Sequence, residues 1–461
     1  MGILGIVLSL LGLMYFAYRG VNVLVLAPIM ALFATLFDVN APMLASYTQV
    51  FMPALAGYLL NYFPLFLLGA IFGQLMADSG AARVIGTSLT AKVGVKHAPL
   101  AVVLSCALLT YGGVSLFVVA FCIYPIARTL FQEADIPKRF IPACIALGSF
   151  TFTMSALPGT PAIQNAIPMP VFGTTAFAAP GLGLFAALVM FFGGISWLNR
   201  RIGVARSHRE GYGQTDDTPV RINVETSEMP LWTALLPLIL VVVLNYLFSG
   251  IFIPQWDTSY LGTESFGGIE LDSVLGVWSI IAAITIAICC LLVLQRKRLS
   301  EPVQTINKGT MGSLLPIFNT ASEVGYGATI ASLVSFAVIR DGIVGIFPQW
   351  PLVSQSISIN LLAGITGSGS GGLSIALEAL GDSYLALAES ANLSPDLLHR
   401  VATLACGGFD TLPHNGAVIT LLAICGLTHR QSYFDIFAVS LVVPFLATAG
   451  VVILGTMFGA F

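Results

Sequence analysis

Asp410 and His414 stand four positions apart on either side of Pro413, within an otherwise apolar stretch of the chain. Ionisable side chains are costly to place in apolar surroundings and usually serve a function there. Histidine titrates near neutral pH, so His414 could carry a proton or meet a carboxylate group. The alternative is an Asp410–His414 contact that only holds an interrupted helix together. Glu323 and Glu378 are two further carboxylates in apolar segments, and either could relay a proton.

Four interruptions that contain glycine or proline, each rich in hydroxyl or amide groups, divide apolar segments of the chain. An unwound segment exposes backbone groups whose unpaired burial costs about 2 to 7 kcal/mol each, so such breaks persist where a ligand or neighbour satisfies them. Hydroxyls, amides and helix N-termini can bind a carboxylate without carrying a full charge, which also lets the anion leave. We therefore predict a site for a small anion, the alternative being that these side chains only cap or bridge helices. The candidate binding residues are Thr110, Gly112, Gly113, Ser115, Thr151, Thr153, Ser155, Pro158, Gly159, Thr160, Gln164, Asn165, Thr366, Ser368, Ser370, Gly371, Gly372, Asp410, Thr411, Pro413, His414 and Asn415.

The interruptions fall in two segments that echo each other. YGGVSLFVVA (Tyr111 to Ala120) and SGGLSIALEA (Ser370 to Ala379) match at four of ten positions. Each is followed by a second echo, LPGTPAI (Leu157 to Ile163) and LPHNGAV (Leu412 to Val418), in which Leu, Pro and Ala recur in register. Corresponding breaks in two halves are typical of secondary transporters, whose substrate and ion sites lie between discontinuous helices.

The composition is that of an integral membrane protein. Of the 461 residues, 57% are hydrophobic and 9% are charged, compared with about 25% charged residues in a soluble domain. Apolar stretches of roughly 20 residues, the length of a membrane-crossing helix, recur along the whole chain. A net charge of −3 provides no basic face for nucleic acid. The seven cysteines lie in apolar segments as expected of buried hydrophobes, and we predict neither a metal nor a cofactor.

Lys and Arg residues determine the predicted orientation. Basic runs at 199–209 and 295–298 flank an acidic loop at 251–272, which places both runs in the cytoplasm and the loop outside. The basic residues of 83–96 are placed in a further cytoplasmic loop by the same rule. The first apolar stretch lacks the basic start and small-residue exit of a signal peptide, so we expect a retained first span.

Two apolar segments are too long for one straight span and too short for two. Segment 98–127 begins and ends near basic residues and has glycines at its midpoint. A re-entrant hairpin that enters from the cytoplasm and returns satisfies both features, because irregular backbone at membrane depth is tolerated where protein or water covers it. Segment 352–390 also has glycines at its centre and is expected to form a second hairpin that enters from outside.

The predicted fold is an all-α polytopic membrane protein built from two inverted-topology repeats, with about ten transmembrane helices and two re-entrant hairpins. Each repeat contains five spans, one of them broken. Five crossings is an odd number, so the second repeat must be inverted, and both termini are expected in the periplasm. The predicted domains are 1–199 for the first repeat, 200–229 for a cytoplasmic linker and 230–461 for the second repeat. The predicted broken spans are 137–170 and 395–427, and the other spans are 2–18, 21–37, 50–77, 178–198, 231–250, 272–294, 311–347 and 432–458.

Two arginines occupy related positions near the start of the broken spans, Arg139 after Pro137 and Arg400 after Pro395. Long basic side chains in such places commonly reach out to the membrane interface. We expect both arginines to do so rather than to bind a substrate.

Three segments carry a resemblance to a known family: GGVSLFVVAFCIYPIA, ALGSFTFTMSALPGTPAIQNAIP and GGFDTLPHNGAV. They resemble the gluconate permease (GntP) family of the ion transporter superfamily, over essentially the whole chain, and look most like its D-3-hydroxybutyrate permease branch. The resemblance implies an inner-membrane, proton-coupled symporter of small organic acids in bacteria. It also implies an elevator-type homodimer in which hairpins and broken helices form a transport domain that moves against a scaffold.

Sequence features select among the functions that remain. Neither hairpin tip reads Ser-Asn-Thr, the motif that resemblance to dicarboxylate members of the superfamily associates with sodium, so we expect a proton as the coupling ion. We therefore predict a proton-coupled importer of a short hydroxy-monocarboxylate such as 3-hydroxybutyrate. The alternatives are a symporter of gluconate or another sugar acid, and a sodium/proton antiporter on the same fold. A membrane-embedded enzyme is disfavoured because no GxSxG or HExxH motif occurs.

Overall fold

The computed structural model of the protein describes residues 2–19, 21–213, 229–338, 350–413 and 415–461. All regular structure within these ranges is helical, which confirms the predicted all-α class. The inversion of one half relative to the other stays a prediction. The helices are α1 Gly2–Tyr18, α2 Val23–Thr35, α3 Met43–Asp78, α4 Ala81–Val93, α5 Ala98–Tyr111, α6 Leu116–Glu133, α7 Ile141–Ser149, α8 Phe152–Ser155, α9 Ile163–Ala166, α10 Pro168–Phe172, α11 Pro180–Ser207, α12 Leu231–Gln255, α13 Leu271–Leu294, α14 Pro302–Ser332, α15 Pro351–Thr366, α16 Gly369–Ser390, α17 Pro395–Cys406, α18 Gly416–Cys425 and α19 His429–Phe458.

Within the described part of the chain, five helices are long and apolar enough to cross a membrane: α3, α11, α12, α13 and α19. The pair α4 and α5 forms a further candidate that is bent by 106°. Large apolar side chains point outward from these helices, with Leu60 82% exposed, Val293 71% and Phe192 59%. Such surfaces are stable against lipid rather than water. The chain is therefore a multi-pass membrane protein.

Helix α4 lies where the sequence predicted a cytoplasmic loop, so that expectation is wrong in its local structure. Ala81, Ala82 and Ile85 are buried, whereas Arg83 and Lys92 are exposed. The segment is an amphipathic helix whose basic residues lie on its polar face. The sequence indicates a loop here because the apolar stretch between the basic residues is too short to be recognised as a membrane span.

Both long apolar segments fold back on themselves at glycine-containing turns. Helices α5 and α6 pack against each other across the turn at 112–115, in which Gly113 has a φ of +96°. Helices α15 and α16 pack in the same way, and Gly367 after α15 has a φ of +66°. Glycine adopts this left-handed backbone without the strain that a side chain would add. The turn chemistry thus explains why each hairpin reverses at its centre.

The sequence echo and the structural turns are out of register. Gly112 lies in the first turn, before α6 begins, whereas its echo Gly371 lies inside the first turn of α16. Gly112 has a φ of −76° and packs against Leu238 of α12, while Gly371 packs against Glu323 of α14. Both positions therefore need glycine for close packing between helices rather than for reversal of the chain.

The two arms of each hairpin should be accessible from one side of the membrane. We expect single cysteines at His97 and Glu133 to react with a membrane-impermeant reagent from the cytoplasm, and cysteines at Trp350 and Asn392 to react from outside. All four side chains are exposed, and each pair flanks one hairpin. Labelling in intact cells and in inverted vesicles, in a cysteine-free background, measures this. Reaction of the two members of either pair from opposite sides would contradict a re-entrant hairpin.

Helix α14 connects the two hairpin-containing halves. It packs against α3, α2 and α16. Glu323 and Tyr326 in its buried section are 3% and 1% exposed. Because α14 packs against the N-terminal turn of α16, it places Glu323 directly against the second hairpin.

An ionic network centred on the buried Asp435 ties the start of the first broken span to α11 and α19. Asp435, whose side chain is 1% exposed, accepts hydrogen bonds from Arg139 Nη1 at 3.2 Å, Arg201 Nε at 2.9 Å and Trp197 Nε1 at 3.1 Å. Arg139 also forms a bidentate pair with Glu210, at 2.7 and 2.9 Å. The Arg139 guanidinium holds the pKa of Glu210 below its usual value. Arg139 thus fastens the broken span rather than facing its interruption.

Candidate functional site

The second hairpin, formed by α15 and α16, and the second break, at 410–416 in the sequence, are joined around Asp410. Its Oδ1 accepts hydrogen bonds from the Gly369 amide at 2.6 Å and from Asn415 Nδ2 at 3.0 Å. Asn415 Nδ2 also donates to the Gly367 carbonyl at 2.8 Å, and Asn415 Oδ1 caps α18 by accepting from the amides of Ala417 and Val418. The carboxylate and the amide therefore lie at the N-terminal ends of α16 and α18, where the partial positive charge of a helix favours anions.

Glu323 reaches the same helix end from α14. Its carboxylate packs against Gly371, and the Asp410 carboxylate packs against Gly369 two residues earlier. Glu323 Oε2 is buried and has no hydrogen-bond partner among the described residues. Ser368 caps α16 by accepting from the Gly371 amide at 3.0 Å, next to the Glu323 carboxylate. A buried carboxyl group, Glu323, and a half-buried one, Asp410, thus share one helix N-terminus, an arrangement that favours a bound proton or cation.

In the first break, at 151–165, the predicted hydroxyl residues donate hydrogen bonds to backbone carbonyls four or five residues earlier in the chain. Thr151, Thr153 and Ser155 donate to carbonyls of the preceding residues at 2.6, 2.9 and 3.2 Å. All three side chains are buried. Their hydrogens are already used, so they reinforce the short helices α7 and α8, as the capping alternative in the sequence analysis proposed.

The first hairpin contacts the first break through Tyr111. Its hydroxyl donates to the Pro158 carbonyl at 2.8 Å. Nearby in the sequence, Thr110 Oγ1 and Gln164 Oε1 are buried and have no hydrogen-bond partner among the described residues. These two groups remain available to a ligand, because an unpaired buried polar atom costs about 1–3 kcal/mol until something bonds to it.

The two breaks also approach each other. A side-chain carbon on Gly407, at the end of α17, would lie 3.3 Å from the Ser155 hydroxyl. Hydrogen bonds connect each hairpin to its own break, as described for Tyr111 and Asp410. The structure therefore arranges the four interruptions in a chain that runs from hairpin to break, from break to break, and on to the second hairpin.

Asn165, a predicted binding residue, is fully used within the protein. Its Nδ2 donates to the carbonyls of Thr160 and Ala176, both at 3.0 Å. Its Oδ1 accepts from His399 Nε2 at 3.1 Å, which leaves His399 Nδ1 to accept from Thr174 Oγ1 at 2.6 Å. Asn165 and His399 are both completely buried. Their role is to join α9 to α17 across 234 positions of sequence.

Arg400 does not reach a membrane interface, so that expectation is wrong. Its side chain is completely buried. The guanidinium donates to the carbonyls of Ser155, Ala156 and Ala178 at distances from 2.6 to 3.3 Å. Helix α17 places Arg400 on the face that packs against the first break. Backbone carbonyls left unpaired there accept hydrogen bonds from the guanidinium, so the side chain does not extend to the membrane interface.

Several other predicted residues lie elsewhere or serve neighbours. Glu378 is exposed on the surface of α16 and lies outside the buried cluster. Thr411 donates to the Ser440 carbonyl at 3.1 Å, and Gly372 packs against the backbone of Ala363. His414 and the side chain of Thr366 lie outside the described residues.

Sequence reasoning missed three polar residues that face the site from other helices. Asn245 of α12 donates to the Gly159 carbonyl at 3.3 Å, and its buried Oδ1 has no partner among the described residues. Tyr58 of α3 and Thr320 of α14 lie close to each other near Glu323. Asn245 could have been found as a lone amide in an apolar span. Tyr58 and Thr320 carry no such signal, because hydroxyl residues are common in membrane helices.

Comparison with known proteins agrees with this architecture. The crystal structure of the YdaH transporter from Alcanivorax borkumensis superposes with a TM-score of 0.55 over 88% of this chain and 87% of that one, at 17% sequence identity. At that identity the likeness shows a shared fold.

Sequence relatives identify the family. A transporter of uncharacterized function from Bacillus subtilis (strain 168), YxjC, is 46% identical over 452 residues, which cover 95% of both chains. The high-affinity gluconate transporter of Escherichia coli (strain K12) is 36% identical over 101 residues, 21% of this chain and 22% of that protein. The sequence model described as GntP family permease matches residues 2–318. The chain therefore belongs to the GntP family of permeases and is a membrane transporter rather than an enzyme.

Proposed function

We propose that the chain is a proton-coupled symporter that imports a small organic acid anion, with a short hydroxy-monocarboxylate such as 3-hydroxybutyrate as its substrate. The observation that carries the proposal is the pair formed by Glu323 and Asp410 at the N-terminus of α16. Two carboxylates at one helix end, Glu323 buried and Asp410 half-buried, destabilise the site unless a cation neutralises part of their charge, and a single proton is sufficient. The pair therefore supplies a place for the coupling proton within the membrane.

The substrate anion has matching features nearby. The N-termini of α16 and α18 carry partial positive charge, and Asn415 holds the two helix ends together through its bonds to Gly367 and α18. When the carboxyl pair holds a proton, the local negative charge falls by one, and an anion can approach these helix ends. Binding of proton and anion is thus mutually favourable, which is the requirement for symport.

The hydrogen-bonding capacity of the described site favours a substrate with few hydroxyl groups. Thr151, Thr153 and Ser155 are used by the backbone, and Asn165 has all four of its hydrogen-bonding positions filled. Thr110 and Gln164 remain as open buried groups in the first half. A carboxylate with one hydroxyl would use these groups, whereas a polyhydroxylated acid would leave several of its own unpaired.

Gluconate is the second candidate, and its support is the similarity to the gluconate transporter of E. coli. The matched segment covers 22% of that protein. Competition separates the two candidates: excess unlabelled gluconate should leave uptake of labelled 3-hydroxybutyrate unchanged. Strong inhibition by gluconate, together with faster uptake of labelled gluconate, would reverse the assignment.

His414 stays a candidate for the proton or for the substrate carboxylate, since it lies one residue before Asn415 in the second break. His414→Asn keeps a hydrogen-bond donor of similar reach and removes titration near neutral pH. Under the carboxyl-pair proposal, this variant should still accumulate substrate in response to a pH gradient. Loss of that response would transfer the coupling role to His414.

Uptake into proteoliposomes tests the proposal directly. With the protein reconstituted and the outside acidic, we expect labelled 3-hydroxybutyrate to accumulate above its external concentration, and a protonophore to abolish the accumulation. Replacing sodium with choline on both sides should leave the rate unchanged, because the site is built for a proton. Accumulation driven by a sodium gradient at equal pH would contradict proton coupling and support a sodium-coupled alternative.

We also propose that the protein lies in the bacterial inner membrane as a homodimer with both termini in the periplasm. Support comes from the basic runs at 199–209 and 295–298, which are expected on the cytoplasmic side. The odd number of crossings expected in each half then places the two termini on the opposite side.

A further inference from the structure

Arg400 presents a full positive charge in the interior of the protein. All of its side chain is buried, and the guanidinium is surrounded by oxygen atoms of the first break. Nε and Nη2 donate to the Ala178 carbonyl at 3.0 and 2.6 Å. Nη1 donates to the carbonyls of Ser155 and Ala156 at 3.3 and 3.2 Å and lies 3.5 Å from Asn165 Oδ1.

No carboxylate among the described residues lies within ion-pair distance of this guanidinium. Burying an ion without a counter-charge costs several kcal/mol, so the surrounding carbonyl dipoles must offset most of that cost. Ser155 and Ala156 form the C-terminal end of α8, where unpaired carbonyls carry partial negative charge. Arg400 is therefore neutralised by a helix end and its neighbouring loop rather than by an acid.

Carbonyl oxygens at the end of a broken membrane helix form the kind of site that binds an alkali cation in transporters. Such cations require several oxygen ligands and no particular hydrogen-bonding geometry. The first break and the loop before α11 together supply three carbonyl oxygens and one amide oxygen, from Ser155, Ala156, Ala178 and Asn165, around the guanidinium group. These ligands converge on the position that the guanidinium occupies.

We propose that Arg400 is a built-in cation that fills an alkali-ion site in the first break, so that this break needs no exchangeable ion. The second break has the opposite character, because its charged groups are the carboxylates of Asp410 and Glu323 at a helix N-terminus. Exchange of a coupling ion is then confined to the second break. The consequence for coupling rests on the proposed function, whereas the cation site itself is tested without substrate.

The test is thermal unfolding of the purified protein in detergent, at constant ionic strength, in choline, sodium or guanidinium chloride at up to 50 mM. We expect the unfolding temperature of the wild type to be the same in all three salts. Arg400→Met keeps side-chain length and removes the charge, so its unfolding temperature should be lower in choline and rise by about 2 °C or more with sodium or guanidinium. Arg400→Lys retains a tethered cation and should be insensitive to all three salts.

Several outcomes overturn the proposal. Arg400→Met could be equally stable in all three salts, or Arg400→Lys could show the same salt dependence as Arg400→Met. If Arg400→Met does not fold in choline, purification in sodium or guanidinium should recover it, and failure in every salt also counts against the proposal. Uptake gives a second readout: Arg400→Lys should transport, and Arg400→Met should transport only when sodium or guanidinium is present.

These results can be separated from a failure of the proposed function. If 3-hydroxybutyrate is not a substrate or the proton is not the coupling ion, uptake of 3-hydroxybutyrate driven by a pH gradient fails for the wild type as well. The salt dependence of unfolding is unaffected by either failure, because it measures occupancy of the first break alone.

Discussion

Glu323→Gln is expected to remove proton-driven accumulation of substrate while it leaves exchange across the membrane partly intact. Glutamine has nearly the same shape as the protonated acid and packs against Gly371 in its place. The site would then be fixed in the state that accepts an anion, and no proton would be released with the substrate. A proton-coupled carrier can sustain about 100-fold accumulation at a pH difference of two units, because one unit corresponds to a tenfold ratio. The variant should reach a ratio near one.

The measurement is uptake of labelled substrate into proteoliposomes with and without the pH gradient, next to exchange at equal pH. Asp410→Asn should behave similarly, with an added loss of binding because Asp410 holds the Gly369 amide. The matched control is Glu389→Gln, which removes an exposed acid from the same helix, α16. Normal ΔpH-driven accumulation in both Glu323→Gln and Asp410→Asn would place the proton elsewhere and leave His414 as the candidate.

Gly371→Ala is expected to lower uptake by at least about fivefold. A methyl group at this position would overlap the Glu323 carboxylate and approach Ser368 Oγ within 3.0 Å. Overpacking of a buried contact typically costs about 1–3 kcal/mol, which corresponds to a factor of about 5 to about 150 in the population of the affected state. The contact joins α14 to α16, so the added group should push the carboxylate away from the helix N-terminus.

Gly69→Ala is the matched control, because Gly69 also lies in a helix and its surroundings leave open space for a methyl group. Uptake and the amount of folded protein should be close to wild type for this variant. Size-exclusion chromatography of Gly371→Ala shows whether the lower uptake reflects slower transport by folded protein or a smaller amount of folded protein. Normal uptake by folded Gly371→Ala would mean that Glu323 need not contact α16 during transport.

The coarse fold was predictable from the sequence because it depends on the length and composition of single segments. The segment 98–127 illustrates this: its length and central glycines predict a chain reversal, and the structure has α5, a turn and α6 there. Helix α4 was missed because 13 residues with a mixed apolar and basic pattern resemble a loop as closely as a short amphipathic helix. The echo also misled, since matching letters paired Gly112 with Gly371 although the turns use Gly113 and Gly367.

The site was predictable in its residue types and less so in its contacts. Asp410 and Asn415 were chosen because polar groups beside proline in an apolar span indicate a break, and the structure joins them directly. Arg400 was assigned to the wrong environment because its partner Asn165 lies 235 positions away. A side chain with the same local sequence could face lipid or protein. Only the packing of α17 against the first break decides between the two.

Glu323 lies on α14 and not on the hairpin that it contacts, so the charge of this carboxyl group is linked to the packing of α14 against α16. Helices α14 and α16 pack against each other. Glu323 belongs to α14, and Asp410, which follows α17, packs against Gly369 at the start of α16. A change in the charge of the pair alters the free energy of this helix contact, and separation of the helices must alter proton affinity by the same amount. External acidity alone would therefore change how tightly α14 packs against α16, even before any substrate arrives.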